Sequence, residues 1–217
     1  MYDNNNCVEP VLIRDHRGVG LRYEDMFLMG DFVKMIPRLN PGIIKDELLV
    51  KAAKIKGKTT GLTVLDCTAG LGEDSILLAA AGFTVKLYEY NPVIFELLKD
   101  AVKRGMDNHK LTNILSRMEL FNLDSVQALS GLDEPPDIVY LDPMFPERSK
   151  NALAKKKFQL LQKLESPSGN EEALLNAAID VHPKKIIIKR PLKGPYLGDI
   201  KPNYSLKGKI VRYDCIL

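Results

Sequence analysis

The sequence predicts an α/β fold, in which a mainly parallel, seven-stranded sheet is covered by helices on both faces and closes with an antiparallel hairpin. From residue 59 onward, short apolar runs alternate with longer segments of helical period, which is the pattern of parallel strands joined by crossover helices. Residues 204–217 form two short runs around Lys207-Gly208, which indicates the terminal hairpin. The chain has 217 residues, 45% of them apolar, enough to bury one core of ordinary size.

Residues 1–57 are predicted to form a small N-terminal extension. Two short runs meet around residues 17–20, whose two glycines indicate a hairpin turn. After the break at residues 40–42 (Asn-Pro-Gly), apolar residues recur at helical spacing over residues 43–55, and Gly57 is placed to end that helix. We expect this helix to pack against the main domain.

The main domain, residues 58–217, is predicted to alternate strand and helix. Its segments differ in apolar period and are separated by glycine, proline and polar residues. The predicted strands cover residues 62–67, 83–89, 118–122, 137–142 and 184–190, followed by the terminal hairpin. The predicted helices cover residues 73–82, 91–105, 107–117, a short segment from 125, 149–164 and 171–181.

Composition and cysteine spacing exclude several classes of protein. No run approaches the roughly 18 consecutive apolar residues of a membrane span. The N-terminus is polar and lacks the pattern of a signal peptide, so we expect a soluble cytoplasmic protein that does not bind membranes. Three cysteines and three histidines lie far apart, without metal-ligand spacing, so neither a structural disulfide nor a metal site is expected.

Basic residues are concentrated in the last third of the chain. Residues 148–217 hold 15 of the 31 basic side chains but only 6 of the 28 acidic ones. Such an excess is typical of a surface that faces a polyanion such as a nucleic acid. The alternative is a solvated face without a partner.

Acidic residues and glycines follow the predicted strands. Because the carboxyl ends of parallel strands meet at one edge, where open α/β sheets bind ligands, we expect these residues to form one site. The sequence after the first strand has neither a GK[ST] phosphate loop nor a third glycine for a dinucleotide, and acids would repel a pyrophosphate. An acid-lined site instead suits the cationic cofactor S-adenosylmethionine (SAM). The candidates are Asp66, Gly70, Gly72, Glu73 and Asp74 after the first strand, Glu89 and Tyr90 after the second, Asp124 and Ser125 after the third, and Asp142 after the fourth.

Each of these residues also has a purely structural interpretation. A Gly-x-Gly pair often forms only a tight turn, and an acid after a strand often caps the next helix. Asp124 in particular is open to the interpretation as an N-cap. The recurrence of acids at successive strand ends favours the cofactor site.

The motif "DPMFP", residues 142–146, suggests the chemistry. It resembles the Asp/Asn-Pro-Pro-aromatic motif of enzymes that methylate exocyclic or amide nitrogens. The Asp142 carboxylate and the Pro143 carbonyl could accept the two N–H groups of a nucleobase amine and so position a weak nucleophile. Phe145 could stack on the base. The alternative is a turn that ends a strand, with Phe145 in the core.

A cluster of basic residues follows this motif directly. Positive charge beside a pocket of the size of a base suits the phosphates of RNA, although some of these lysines must be solvated. The candidate RNA-binding residues are Arg148, Lys150, Lys155, Lys156, Lys157, Lys189 and Arg190.

The segments "DCTAGLGEDS", "YEYNPV", "VYLDPMFPERSKNALAKKK" and "IIIKRP" together resemble one family, the bacterial 16S ribosomal RNA guanine-N2 methyltransferases of the RsmJ family. The similarity runs from about residue 45 almost to the end of the chain. It implies a Rossmann-like class I methyltransferase fold, SAM as the methyl donor, a guanosine amine as the acceptor, and 16S rRNA or the small ribosomal subunit as the partner. By position, it implies cofactor contacts at Glu73, Asp74, Glu89, Tyr90, Asp124, Ser125 and Asp142.

Three hypotheses for the function follow. The first is an rRNA guanine-N2 methyltransferase. The second is an enzyme that methylates protein glutamine, DNA adenine or a small amine in the same pocket. The third is a non-catalytic RNA-binding protein on the same scaffold. Dependence of methyl transfer on ribosomal RNA separates the first from the second, and cofactor binding without transfer would indicate the third.

Overall fold

The structure is a computed structural model, and it describes residues 9–58, 61–143, 164 and 171–217. The predicted helix at residues 149–164 therefore lies almost entirely outside the described residues.

The N-terminal part forms a small antiparallel sheet followed by short helices. The predicted hairpin is present as the first two strands of this sheet, with its turn at residues 16–17. The predicted helix at residues 43–55 is wrong in one respect, because it is divided into two. Glu47 has an extended backbone (ψ 131°), and its carboxylate binds the Arg38 guanidinium at 3.0 Å. The elements are β1 Val11–Asp15, β2 Gly18–Tyr23, β3 Met26–Leu28, a 3-10 helix at Phe32–Met35, α1 Pro41–Ile44 and α2 Leu48–Ala53.

The main sheet confirms the predicted fold class. Its strand order is β6-β5-β4-β7-β8-β10-β9, in which β10 runs antiparallel to both of its neighbours and the other pairs are parallel. Its strands are β4 Thr63–Asp66, β5 Thr84–Tyr88, β6 Met118–Phe121, β7 Ile138–Leu141, β8 Lys185–Pro191, β9 Tyr204–Lys207 and β10 Val211–Ile216.

Helices cover both faces of this sheet. The segment predicted as a helix at residues 107–117 is mostly turns and contains only one short helix. The helices of the main domain that the structure describes are α3 Glu73–Ala80, α4 Pro92–Met106, α5 Thr112–Leu115, α6 Ser125–Ser130, α7 Glu171–Asp180 and a 3-10 helix at Leu197–Asp199.

The core has one layer on each face of the sheet. In β7, for example, Ile138 and Tyr140 point into the layer that contains α3, whereas Val139 and Leu141 point into the layer that contains α7. This alternation follows from the two-residue period of a strand. Phe32, from the N-terminal part, is buried in the α3 layer. The division of the chain at residue 57 stays a prediction.

One edge of the sheet collects the predicted site residues. The strands from β4 to β8 are parallel, so their carboxyl ends open onto the same edge, here called the carboxyl edge. Because β10 is antiparallel to β8, with Val211 paired to Pro191, the turn between β9 and β10 also lies at this edge.

Candidate active site

The loop after β4 is held by a buried carboxylate. Asp66 accepts a hydrogen bond from the Thr68 amide at 3.1 Å and another from the Ser75 hydroxyl on α3. Burial raises the pKa of Asp66 to about 7, and the negative charges of Asp74 and Asp142 add to this effect. The hydrogen bonds lower the pKa only in part. Asp66 therefore fixes the loop from within, and its raised pKa leaves it only partly ionised near neutral pH.

The two glycines of this loop, Gly70 and Gly72, differ in what a side chain at each position would meet. Gly72 has φ 74°, and a Cβ there would lie 2.8 Å from Leu98 Cδ1 and 3.2 Å from Phe32 Cζ. Packing against the core thus requires glycine at this position. Gly70 has φ 53°, but a Cβ there would meet no heavy atom closer than the Thr68 carbonyl at 4.0 Å. The loop is therefore open at Gly70, where a ligand can approach the backbone.

Glu89, at the end of β5, is buried and faces this loop. Its carboxylate accepts hydrogen bonds from the Gly70 amide at 3.0 Å and the Asn91 amide at 2.8 Å. The amide group of Asn122 donates to the main-chain carbonyls of Glu89 and Tyr90, at 2.8 and 3.2 Å. These bonds join the ends of β4, β5 and β6 into one frame. The side chain of Tyr90 is largely exposed beside it.

The predicted pair after β6 has structural bonds of its own. Asp124 caps α6, because its carboxylate accepts from the amides of Val126 and Gln127 at 2.9 and 3.1 Å. The hydroxyl of Ser125 is buried and donates to the Cys67 carbonyl at 2.6 Å. Asp124 thus acts as the N-cap of α6, which was the structural alternative for this residue. A cofactor role for Asp124 or Ser125 stays a prediction. Glu73 is exposed in the first turn of α3.

A second cluster lies between β7 and β8. The Lys189 ammonium bridges two carboxylates, 2.7 Å from Asp74 Oδ2 and 2.8 Å from Asp142 Oδ2. The Tyr140 hydroxyl donates to Asp74 Oδ2 at 2.6 Å, and the Asp142 amide donates to the Thr68 hydroxyl at 2.7 Å. Lys189 thus fixes the carboxylate of Asp142 and Thr68 fixes its backbone, and the neighbouring Pro143 is buried.

The charges in this cluster stabilise one another. Burial alone would raise the pKa of Asp74, but the Lys189 ammonium and its hydrogen bonds outweigh burial, so the pKa lies below its ordinary value. Burial lowers the pKa of Lys189, but the two carboxylates raise it by more than burial lowers it, so the ammonium stays protonated. Burial and the same carboxylates raise the pKa of Tyr140 well above its usual value, which keeps its hydroxyl a donor.

The basic residues predicted to bind RNA need a partial correction. Arg190 is buried, its Nε donates to the Pro195 carbonyl at 3.1 Å, and its Nη1 lies 3.7 Å from Glu171. It is therefore not placed to contact a phosphate. Lys189 lies among carboxylates rather than on a basic surface. The other predicted RNA-binding residues lie outside the described residues, namely Arg148, Lys150, Lys155, Lys156 and Lys157. Phe145, which was predicted to stack on the base, also lies outside them.

Sequence reasoning did not identify Thr68 and Tyr140 as site residues, and it assigned Lys189 to RNA. A signal was present for Tyr140. It stands two residues before Asp142 in β7, and residues two apart in a strand share a face. The contact between Asp74 and Lys189 joins residues 115 positions apart, and no local pattern indicates it.

The residues at the carboxyl edge fit a cationic ligand. Six acidic side chains lie there, those of Asp66, Glu73, Asp74, Glu89, Asp124 and Asp142, and Lys189 forms ion pairs with two of them. The backbone is open at Gly70. SAM carries a sulfonium, an ammonium and ribose hydroxyls, and these suit fixed carboxylates beside an open glycine loop.

Two other predicted features concern metal and membrane. Among the described residues, no group of three or more His, Cys, Asp or Glu side chains is arranged to hold a metal ion. Within the same part of the chain, no helix is long and apolar enough to cross a membrane. Cys67 and Cys215 are free and buried, and Cys7 lies outside the described residues.

Comparisons with known proteins identify the family. The SAM_MT family model, described as "Putative SAM-dependent methyltransferase", matches residues 9–217. Ribosomal RNA small subunit methyltransferase J from Pseudomonas savastanoi pv. phaseolicola is 42% identical over 165 residues, 75% of this chain. The match covers only 61% of that relative's length. The protein of the same name from Nitrosococcus oceani is 38% identical over 194 residues, 88% of this chain and 76% of the relative.

A solved structure supports the same conclusion. The crystal structure of a SAM-dependent methyltransferase from Neisseria gonorrhoeae superimposes with a TM-score of 0.78 at 29% identity, covering 100% of this chain and 86% of that one. The chain therefore belongs to the family of SAM-dependent methyltransferases that includes ribosomal RNA small subunit methyltransferase J.

Proposed function

We propose that this protein transfers a methyl group from SAM to the exocyclic N2 of a guanosine in small-subunit (16S) ribosomal RNA. The observation that carries the proposal is the Asp142 carboxylate, fixed at the end of β7 by Lys189 and by its own backbone bond to Thr68. Family membership supports the reaction type, and the names of the curated relatives support the RNA.

The donor half of the site is assigned to the ends of β4, β5 and β6. Bound SAM supplies an electrophilic methyl group on a sulfonium. The open backbone at Gly70 accommodates the cofactor, and the fixed Glu89 carboxylate accepts hydrogen bonds from ribose hydroxyls. Tyr90, Asp124 and Ser125 border this half and remain proposed contacts.

The acceptor half is assigned to Asp142 and Pro143. A guanine amine shares its lone pair with the ring, so the enzyme must position the nitrogen rather than rely on its nucleophilicity. The Asp142 carboxylate accepts one N–H of this amine, and the Pro143 carbonyl accepts the other. Because Lys189 binds Asp142 Oδ2 at 2.8 Å, the carboxylate keeps its orientation while the amine is bound. The proton leaves to Asp142 or to water after transfer.

The substrate is proposed to be either free 16S rRNA or the small ribosomal subunit. A cytoplasmic location belongs to the same proposal, because that is where a bacterial ribosomal subunit is found. Stacking of Phe145 on the target base, and phosphate contacts from Arg148 and Lys150, remain predictions from the sequence.

The test is transfer of labelled methyl groups from SAM to undermethylated small subunits. Free 16S rRNA, large subunits and DNA are assayed in parallel, and the product is digested to nucleosides. We expect label in N2-methylguanosine from small subunits, free 16S rRNA or both, and none from large subunits or DNA. Label in another nucleoside or in protein would overturn the proposed acceptor and favour a different amine. Cofactor binding without any transfer would favour a non-catalytic RNA-binding protein.

Asp142→Asn tests the residue that carries the proposal. The substitution preserves shape but replaces an acceptor atom by a donor, so we expect kcat to fall by about 10²- to 10³-fold, as for other single polar groups in active sites. Asp137→Asn is the matched control, because Asp137 stands immediately before β7, at the opposite edge of the sheet. A decrease of less than tenfold for Asp142→Asn would exclude the assigned role.

A further inference from the structure

We propose that three lysines at the carboxyl edge, Lys193, Lys207 and Lys209, bind RNA phosphates that flank the target nucleotide. This set is called the carboxyl-edge lysines below. The proposal rests on the proposed function and names the surface by which the same site holds its RNA. Its residues are distinct from those that the sequence predicted to bind RNA.

Strand register places these lysines beside the candidate active site. Lys207 pairs with Arg212 across β9 and β10, and Arg212 pairs with Arg190 across β10 and β8. The Leu192 amide donates to the Ile210 carbonyl at 2.8 Å, which joins the loop after β8 to the turn between β9 and β10. That junction is three residues beyond Lys189, or about 10 Å along the strand at roughly 3.3 Å per residue.

The carboxyl-edge lysines are exposed in a region that is poor in acids. Residues 191–211 contain the three carboxyl-edge lysines, Lys201 near the opposite end of β9, and a single acidic residue, Asp199. Within the described residues, no carboxylate forms an ion pair with any of the three lysines. By contrast, Lys184, just before the other end of β8, is neutralised by Asp137. Positive charge is thus uncompensated on the side of the sheet where the candidate site opens.

The backbone that carries Lys193 is held in place from beneath. Arg212 is buried, forms an ion pair with Asp214 at 2.9 Å, and donates to four carbonyl groups of the loop after β8. These carbonyls belong to Pro191, Leu192, Gly194 and Pro195, at 2.8–3.2 Å. A loop fixed in this way presents its lysine without paying the cost of ordering on binding, which favours a docking surface over a solvated face.

The chemistry of the lysines indicates the kind of partner. A lysine ammonium is a point charge that binds phosphates but does not read base edges, so these residues would supply affinity and register rather than sequence recognition. At about 0.15 M salt, each phosphate contact contributes about four- to fivefold in affinity by counterion release. Three contacts therefore correspond to about 10²-fold at most.

The test compares two triple variants of equal charge. Lys193→Gln, Lys207→Gln and Lys209→Gln together remove the carboxyl-edge lysines. Lys103→Gln, Lys110→Gln and Lys201→Gln together remove three exposed lysines from outside that edge. The dissociation constant for 16S rRNA is measured for both variants and for the wild type between 50 and 200 mM salt, together with kcat and KM for methyl transfer and the unfolding midpoint.

We expect the first variant to bind 16S rRNA about 10- to 100-fold more weakly at ~0.15 M salt, with a similar rise in KM. Its kcat and unfolding midpoint should stay near those of the wild type. The slope of log affinity against log salt should become shallower by about 2 to 3, whereas the control should keep the wild-type slope. Equal losses of RNA affinity in both variants, or no loss of affinity in the first, would overturn the proposal that the carboxyl-edge lysines bind RNA. RNA binding is measured independently of methyl transfer. Absence of transfer by the wild type would therefore refute the proposed function, whereas the affinities would still show whether the carboxyl-edge lysines bind RNA.

Discussion

Replacing Lys189 by methionine removes the cation from the candidate active site while keeping a long, flexible side chain. In the wild type the ammonium binds Asp74 at 2.7 Å and Asp142 at 2.8 Å. The variant leaves both carboxylates near each other without that cation. Lys189→Met therefore measures how strongly the site depends on the ammonium.

The expected loss of stability is dominated by Asp74. Hydrogen bonds to charged groups contribute about 1.5–3 kcal/mol each, and removing one partner of a buried pair costs about 3–5 kcal/mol. The Asp142 side chain is 35% exposed, so solvent screening reduces its share. We therefore expect the free energy of unfolding at pH 7 to fall by about 3–4 kcal/mol in Lys189→Met.

The pH dependence of the free energy of unfolding provides a second, independent test. In the wild type the pKa of Asp74 lies below its ordinary value, so its stabilising contribution is lost only when the pH falls toward that low pKa. In the variant the ammonium no longer opposes burial, and only the Tyr140 hydrogen bond and the charge of Arg38 still lower the pKa of Asp74, so we expect this pKa to rise above its unfolded value. The variant is then stabilised as Asp74 takes up a proton, so its deficit relative to the wild type should shrink between pH 7 and pH 5.

Urea unfolding followed by circular dichroism at pH 7 and pH 5 measures both effects. Lys184→Met is the matched control, because Lys184 immediately precedes β8 and pairs with Asp137 at the surface, a contact that contributes less than about 1 kcal/mol. The reasoning is refuted if Lys189→Met lies within about 1 kcal/mol of the control at pH 7, since the two lysines would then contribute alike. A deficit that grows toward pH 5 would show that the sign assigned to Asp74 is wrong.

Four further substitutions follow from the structure. Gly72→Ala should destabilise the protein by about 2–4 kcal/mol, because the left-handed backbone and a methyl carbon of Leu98 in α4 both oppose a Cβ. Gly70→Ala should destabilise it by only about 1–2 kcal/mol but should weaken SAM binding. Thermal unfolding measures the stabilities, and calorimetric titration measures SAM binding. Arg212→Met should cost about 3–5 kcal/mol by urea unfolding, because it leaves the buried Asp214 without its cation. Glu89→Gln should raise the KM for SAM about tenfold with less change in kcat, by loss of one charge-assisted acceptor; an equal KM would exclude the ribose contact.

The order of strands and helices could be predicted from the sequence because its signals are local. Apolar runs of period two and segments of period 3.6 follow each other along the chain, and glycines stand where the backbone needs a positive φ, as at Gly72. The helix at residues 43–55 was predicted less well, since its apolar spacing continues across Glu47, where the backbone is extended and the carboxylate binds Arg38, a residue outside that segment.

The candidate site was predictable in position but only partly in its contacts. The carboxyl ends of parallel strands meet at one edge in any such sheet, so Asp66, Glu89 and Asp142 could be placed together from the sequence. What each carboxylate contacts depends on residues brought in by folding. Asp124, for example, caps its own helix, a contact that the sequence left as an alternative.

Lys189 and Arg190 are two residues whose contacts could not be predicted from the sequence. They are neighbours in a basic stretch, and charge alone assigned both to RNA. In β8 successive side chains point to opposite faces, so Lys189 meets Asp74 from α3, whereas Arg190 is buried on the other face near Glu171 of α7. The sequence alone determined that these charges exist and lie at the end of a strand. Only the tertiary structure decided their partners, because electrostatic pairing depends on distances in space, and Lys189 and Asp74 are 115 positions apart in the chain.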